Sequence, residues 1–330
     1  MPSRIDWESQ IGRRLRLRDL YVFSTVVRTG SMGKAALELG VSQPAVSEVI
    51  ANLEHALGVR LLDRTPQGAE ITVHGAALDR RVLAAFDELK QGVKEIELLS
   101  DPTAGEVRIG CPESISAAIL QPICETLIRK HPRITLDVDT VNTLSFAQKL
   151  RNRSLDIVMA RGGWPLEDAH LVTDFNVETL YDDELVIVAG DRSEWAGRRK
   201  INISELRDER WILTSGDRWN YQVIAAAFKL RGIEMPQINL KTISVHLRAH
   251  MVATGNFVTT FPRSVVDLYA GRLGLKVLPV DLPNSSWPVK IATLRNRTLS
   301  SVVERFIACA RDAARPAAGK SRAYKPAKAR

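Results

Sequence analysis

Ser31-Met-Gly-Lys-Ala-Ala-Leu-Glu-Leu-Gly-Val-Ser-Gln-Pro-Ala-Val-Ser-Glu-Val-Ile-Ala-Asn-Leu-Glu54 decides the fold of the first third of this chain. Two short helical runs flank the turn Leu39-Gly40-Val41-Ser42. Ser31 can cap the first run and Ser42 the second, and Gly40 permits a sharp turn between them. Ala35 and Ala36 are small enough for the two helices to approach closely, so the stretch predicts a helix-turn-helix. The second helix has an apolar face of Val46, Val49, Ile50 and Leu53. Its other face carries Gln43, Pro44, Ser47 and Ala51, with Glu48 to one side. Small polar groups at a helix N-terminus suit a DNA major groove. Gln43 has the geometry to pair with adenine N6 and N7, and Pro44 and Ala51 can touch thymine methyl groups. Ser42 and the first-turn N–H groups suit a phosphate.

Upstream, Leu17, Leu20, Phe23 and Val27 share one face of a helix that ends at Gly30. Residues 1–14 lack periodicity and read as a loose arm, whose Trp7 has no assigned role. Arg13, Arg14, Arg16 and Arg18 crowd the start of that first helix as phosphate contacts. Downstream, Arg60–Thr72 holds two apolar pieces around Pro66-Gln67-Gly68, the pattern of a hairpin that would place Arg64 and Thr65 in a wing. A long helix is expected over residues 73–99, roughly 40 Å at the usual rise. Val82, Phe86, Leu89, Val93 and Ile96 step along it by four and three, a heptad seam predicting pairing of two chains.

Asp101-Pro-Thr-Ala-Gly105 reads as a linker, and the texture then changes to alternating strands and helices. Short buried strands in that alternation predict α/β lobes with mainly parallel sheets. Ligands in such lobes sit at the carboxyl ends of strands against helix N-termini. That rule selects Ser114, Asn142, Thr214 and Ser244, with Thr259 or Thr260 near the hinge. Helix caps and hydroxyls there suit a carboxylate or polyol, and Trp164 and Trp219 could wall the site. For each hydroxyl the competing reading is a helix cap, and for each tryptophan a place in the core.

Residues 20–75 resemble the winged helix-turn-helix of LysR-type transcriptional regulators. The resemblance rests on Gly30-Ser31, Lys34-Ala35-Ala36, Leu39, Val41 to Ser47, Ile50, Leu53-Glu54, Leu57-Gly58, Leu61 to Arg64 and Thr72. It implies a multidomain chain. An N-terminal all-α winged helix-turn-helix and long linker helix precede a two-lobed α/β effector domain like a type 2 periplasmic binding protein. The segments would be an arm (1–14), the DNA-binding domain (15–72), the linker helix (73–100) and a hinge (101–105). One lobe would take 106–180 and 282–312, the other 181–281, and a basic tail without a fold 313–330. The resemblance further implies contact with double-stranded DNA through Arg16, Arg18, Ser31, Ser42, Gln43, Pro44, Ser47, Glu48, Arg64 and Thr65. It implies a small-molecule effector, homodimers or homotetramers, and RNA polymerase as a further partner. Glu48 departs from the basic residue frequent in the family. An acid there repels phosphate or accepts from cytosine N4, so it bears on sequence preference.

Composition narrows the alternatives. The formal net charge is +8, but residues 1–100 carry 13 basic and 13 acidic side chains, and the last twenty carry 7 and 1. Bulk charge therefore does not locate the DNA-binding surface. The longest run without Asp, Glu, Lys or Arg is Ala249–Pro262, 14 residues, too short to span a membrane. The first residues show no signal-peptide pattern, and a cytoplasmic protein is expected. Cys111, Cys124 and Cys309 are too scattered for a disulfide framework or zinc site. Cys111 follows a strand, where a small buried thiol is expected over a nucleophile. His246 and His250 share a helix face without a third ligand. No hydrolase, phosphate-loop or dinucleotide motif is present, so neither an enzyme nor a cofactor is expected. The rival functions are an architectural DNA-binding protein without ligand response and a solute-binding protein.

Overall fold

The computed structural model describes residues 15–65, 68–100, 104–140, 145–162, 172–215 and 219–321. The chain forms two compact units that divide between Lys94 and Glu95. The first unit contains α1 (Leu17–Thr29), α2 (Met32–Leu39), α3 (Gln43–Leu57), the hairpin β1 (Leu62–Thr65) and β2 (Gly68–Ile71), and the start of α4 (Val73–Ser100). The expected caps form. Ser31 Oγ accepts from the Lys34 N–H and Ser42 Oγ from the Ala45 N–H. Gly40 adopts the left-handed conformation (φ 65°) that turns α2 into α3. Phe23, Val26, Ala35, Ala36, Val46, Ile50, Leu53 and Leu61 make the core, so the three helices close around the alanine pair. The hairpin is tied to this core through Glu54, whose Oε1 accepts from the N–H groups of Leu61 (2.7 Å) and Leu62 (3.1 Å). At the root of α4, Thr72 Oγ1 accepts from Gly75 N–H at 3.0 Å. A β-carbon on Gly75 would stand 2.1 Å from the Leu61 carbonyl oxygen, so only glycine fits there.

The second unit is built on one sheet. β3 (Ala104–Gly110) leads through α5 (Glu113–Ile115) and a π turn (Ser116–Leu120) into α6 (Gln121–Lys130). The turn widens just ahead of Pro122, which has no N–H to give to the preceding turn. β4 (Arg133–Asp139), α7 (Phe146–Arg151) and β5 (Ile157–Arg161) complete the first half of the lobe, and β6 (Phe175–Gly190) follows. Next come β7 (Trp211–Leu213), α8 (Trp219–Lys229), β8 (Ile238–Lys241), α9 (Val245–Ala253), β9 (Val258–Pro262), α10 (Arg263–Leu273) and β10 (Leu275–Val277). β11 (Ser286–Leu294) and α11 (Ser301–Ser321) end the unit. The strand order is β4-β3-β5-β11-β6-β9-β7-β8, with β10 beside β6. One core gathers Ile109, Ile123, Ile157, Val289 and Phe306. Two others lie on the far side of the junction, around Trp211 and Phe228 and around Phe261 and Val265.

Three expectations change. The sheet is not mainly parallel: β3–β4, β3–β5, β7–β8 and β7–β9 are parallel, but β5–β11, β6–β11, β6–β9 and β6–β10 are antiparallel. The cause is that β6 and β11 carry the chain between the lobes in opposite directions, side by side. β6 itself runs for 16 residues, and its second half is the continuous apolar stretch Leu185–Ala189. Of the hinge expected at 101–105, Ala104 and Gly105 belong instead to β3, where they pair with Arg133 and Ile134. The last helix passes 312, the expected end of the lobe, and reaches Ser321, so residues 313–321 do not belong to a tail without a fold. Ala310 and Ala314 are buried in the first lobe's core and extend the helix's packed face by one more turn. The remaining tail residues, 322–330, and the arm, 1–14, lie outside the described residues, as do 101–103.

Candidate functional site

The first candidate surface is the outer side of α3. Val46, Ile50 and Leu53 are buried, which turns Ser42, Gln43, Pro44, Glu48, Ala51 and Asn52 outward; Ser47 is partly exposed. Asn52 joins this face four residues after Glu48, a position the sequence reading passed over. Pro44 fits the first turn of α3, where its missing N–H costs nothing. The Gln43 side chain leans toward α2: its Oε1 lies 3.6 Å from where a β-carbon on Gly33 would stand. Ser31 and Ser42 spend an oxygen lone pair on their caps, which leaves the hydroxyl protons available to an acceptor outside. Arg16 and Arg18 are exposed at the start of α1. Arg64 and Thr65 belong to β1, but their side chains, like Arg13 and Arg14, lie outside the described residues.

Along α4 the heptad seam divides. Val82 is 2% exposed and Phe86 packs edge-on against Tyr21 of α1 with ring centroids 5.7 Å apart. Val82 is therefore spent within its own chain and is not available to a second one. Leu89, Val93 and Ile96 are 52%, 57% and 66% exposed.

The second candidate site is the junction of the two lobes. Arg161, at the carboxyl end of β5, donates from Nε (3.1 Å) and Nη2 (2.8 Å) to Asp183 Oδ2 in β6. Its Nη1 donates to Ser114 Oγ at 2.8 Å, and Ser264 Oγ, opening α10, donates to Asp183 Oδ2 at 2.6 Å. Both charged groups of this pair are buried. One network thus joins the first lobe, the crossover strand and the second lobe. Nearby, Glu113 of the first lobe accepts from the His246 N–H in the first turn of α9 (3.4 Å). Arg248, also buried, donates to the carbonyls of Thr260 (2.9 Å) and Ser244 (3.4 Å) and lies over the Phe261 ring. Burial lowers its guanidinium to about 10, an effect Glu113 opposes.

The expected effector residues fare unequally. Ser114 stands in the network at the junction. Thr214 is buried and donates to Asn220 Oδ1, while Asn220 Nδ2 reaches Thr260 Oγ1. Ser244 is the cap of α9, accepting from the Leu247 N–H at 3.3 Å. Thr259 is a correction: it is fully buried and its hydroxyl is committed to the Ile212 carbonyl in β7 (2.6 Å), because a strand between two others turns that side chain into the sheet. Asn142 and Trp164 lie outside the described residues. Glu113, Arg161, Asp183, Arg248 and Ser264 were missed. The signal for Arg161 was available: a lone cation ending the apolar run Ile157–Ala160, just before Gly162-Gly163. Cys111 is fully buried, and burial pushes its thiol up to about 12, an environment for an inert side chain.

Comparison with known proteins matches the LysR substrate binding domain to residues 100–315 and the bacterial regulatory helix-turn-helix of the lysR family to residues 17–76. The chain belongs to the LysR family of transcriptional regulators. It is 29% identical to the HTH-type transcriptional regulator TdcA of Escherichia coli over 247 residues, 75% of this chain and 77% of that one. It is 26% identical to GbpR of Azospirillum brasilense over 313 residues, 94% of this chain and 90% of the relative. A full-length OxyR variant from Pseudomonas aeruginosa shares the fold with a TM-score of 0.61 and 22% identity, covering 91% of this chain and 95% of its own. The LysR-family regulator CbnR, solved with its target DNA, gives a TM-score of 0.51 at 18% identity, covering 91% and 100%. In this LysR-family chain the helix-turn-helix match takes in α1 to the first turn of α4. The substrate-binding match takes in both lobes. No helix among the described residues is long and apolar enough to cross a membrane.

Proposed function

We propose that this regulator reads double-stranded DNA with the outer face of α3 and adjusts that binding to a small molecule held between its two lobes. The observation that carries the first half is the array of exposed Ser42, Gln43, Pro44 and Glu48 and partly exposed Ser47 on a capped helix whose other side is buried. In this reading Gln43 pairs with adenine, Pro44 and Ala51 touch thymine methyls, and Glu48 disfavours phosphate or accepts from cytosine. Arg16, Arg18, Ser31, Arg64 and Thr65 hold the phosphates. Two copies pair along α4 through Phe86, Leu89, Val93 and Ile96, and further association to tetramers places paired heads on a two-part site. The cytoplasm is the place of action and RNA polymerase the further partner. The chain acts by binding, without catalysis or a cofactor.

The second half is supported by the junction network, in which Arg161 of one lobe, itself held by Ser114, and Ser264 of the other meet on a single carboxylate, Asp183. A ligand that favours one arrangement of these groups shifts the lobe equilibrium. The test is a footprint of the full chain on its operator against a metabolite panel. At least one compound that raises the unfolding temperature should also change the footprint. A footprint indifferent to every stabilising compound would favour an architectural role.

A further inference from the structure

Lysine is among the side chains least suited to burial, because its ammonium is compact and strongly hydrated. Every other described lysine side chain is exposed or, like Lys149 beside Asp139, partly covered and paired with a carboxylate. Lys290 is buried, at 8% exposure. No hydrogen bond or ion pair to a described residue compensates it. Burial, with no carboxylate to oppose it, lowers its ammonium below the ordinary lysine value. More of the amine is therefore unprotonated at neutral pH than at an exposed lysine.

Its place in the sheet accounts for this. In β11 it stands opposite Ala160 of β5 and Thr179 of β6, and so shares their face. Ala160 and Ala292 on that face pack with Phe146 and Leu150 of α7, which leaves no carboxylate beside the lysine. Acids on the neighbouring strands are committed or turned to water. Asp139 holds Lys149, Asp174 holds Arg151, Glu178 holds Arg311, and Asp182 is exposed. The apolar cover ends at Thr179, which is exposed. The Lys290 nitrogen is not sealed. Among the described residues, the unpartnered side-chain atoms cut off from solvent are Asp79 Oδ1 and Trp219 Nε1. A lysine that merely snorkels carries its head out into water. Here the cation is penalised while the nitrogen stays within reach of a small molecule.

We propose that Lys290 is an acylation site, taking an acetyl group from a small acyl phosphate. The unprotonated Nζ attacks the acyl carbon and the C–N bond forms. The C–O bond to phosphate breaks, phosphate leaves with the electron pair, and the amine proton passes to water. The product is a neutral amide, so the reaction removes a buried cation that has no counter-charge, a gain no exposed lysine offers. β11 is one of the two strands that carry the chain between the lobes, so the modified residue lies in the segment that connects them.

The test incubates the full chain with acetyl phosphate and follows acetylation of each lysine by peptide mass spectrometry. Lys290 should react faster than the exposed Lys241 and Lys276, by about threefold at neutral pH, because more of its amine is unprotonated. In urea, where the fold no longer distinguishes them, the three rates should converge. In the folded chain the Lys290 rate should reach half its maximum at a lower pH than the other two. A Lys290 rate equal to or below those of Lys241 and Lys276, a preference that persists in urea, or a half-maximal pH no lower than theirs would each overturn the inference.

Discussion

The outer face of α3 and the junction between the lobes are both polar, yet they are built in opposite ways. The α3 face uses exposed residues nearly consecutive in the chain, Ser42 to Asn52, on one rigid, capped helix. The junction uses buried groups from four distant segments, Ser114, Arg161, Asp183 and Ser264, that satisfy one another. A surface meant for a partner keeps its donors and acceptors outward. A junction between two lobes pairs its charges internally, because an unpaired buried charge is costly.

The largest effect that tests this contrast is Ile50→Asp. It places an unpaired carboxylate in the core under the α3 face and should cost more than about 4 kcal/mol, unfolding the N-terminal unit. Loss of DNA binding with the effector unit's melting transition intact is the expected calorimetric result. A wild-type melting profile would mean the face does not depend on that core.

Next comes Asp183→Ala, which strands Arg161 and should destabilise the effector unit by about 3–5 kcal/mol in denaturant unfolding. Pairing it with Arg161→Leu should recover much of that loss, since the stranded charge goes too. Additive losses would show that the two residues do not act as a pair.

Acid separates the regions further. Asp156, buried in the first lobe, is held below its ordinary value: burial opposes ionisation, but Arg108 and Arg297 outweigh it. Its stabilisation is present above about pH 4, the unfolded value, and is lost as pH falls through the folded one. Asp79 of α4 is the reverse. Burial raises its carboxyl against a hydrogen bond from Ser24, and its Oδ1 lacks a partner among the described residues. Folding therefore favours its protonated form, and its penalty grows as pH rises through the unfolded value to the folded one. Asp156→Asn should flatten the acid loss of the effector unit, and Asp79→Asn should flatten the opposite trend in the N-terminal unit. Parallel pH curves for parent and variants in unfolding series from pH 3 to 7 would contradict both assignments.

The same contrast explains what the sequence could reveal. Caps, turn glycine and apolar spacing sit within a few residues of one another between Ser31 and Glu54, so local reading recovered α2, α3 and the family resemblance. The junction depends on register. β6 alternates Phe175 and Val177 with Asn176 and Glu178, but its register against β11 shifts across Leu180 before the continuous apolar half, and only that apolar half reads as a strand by itself. Without that crossover, nothing brought Asp183 to Arg161, 22 positions away, or Trp287 to Trp219. Thr259 failed for a related reason: a threonine at a strand's end can face cleft or sheet, and only pairing with β7 decides. Helix α11 outran its expected end because Ala310 and Ala314 sustain its buried face past the charged Arg311 and Asp312.

The most direct test of the central claim is Gln43→Ala measured on two DNAs, an operator selected from random sequence and a scrambled duplex at the same salt concentration. The account predicts a loss of about 1–3 kcal/mol on the operator and almost none on the scrambled duplex, because Gln43 reads a base and the arginines hold phosphates. Equal losses on both would contradict base reading by the α3 face.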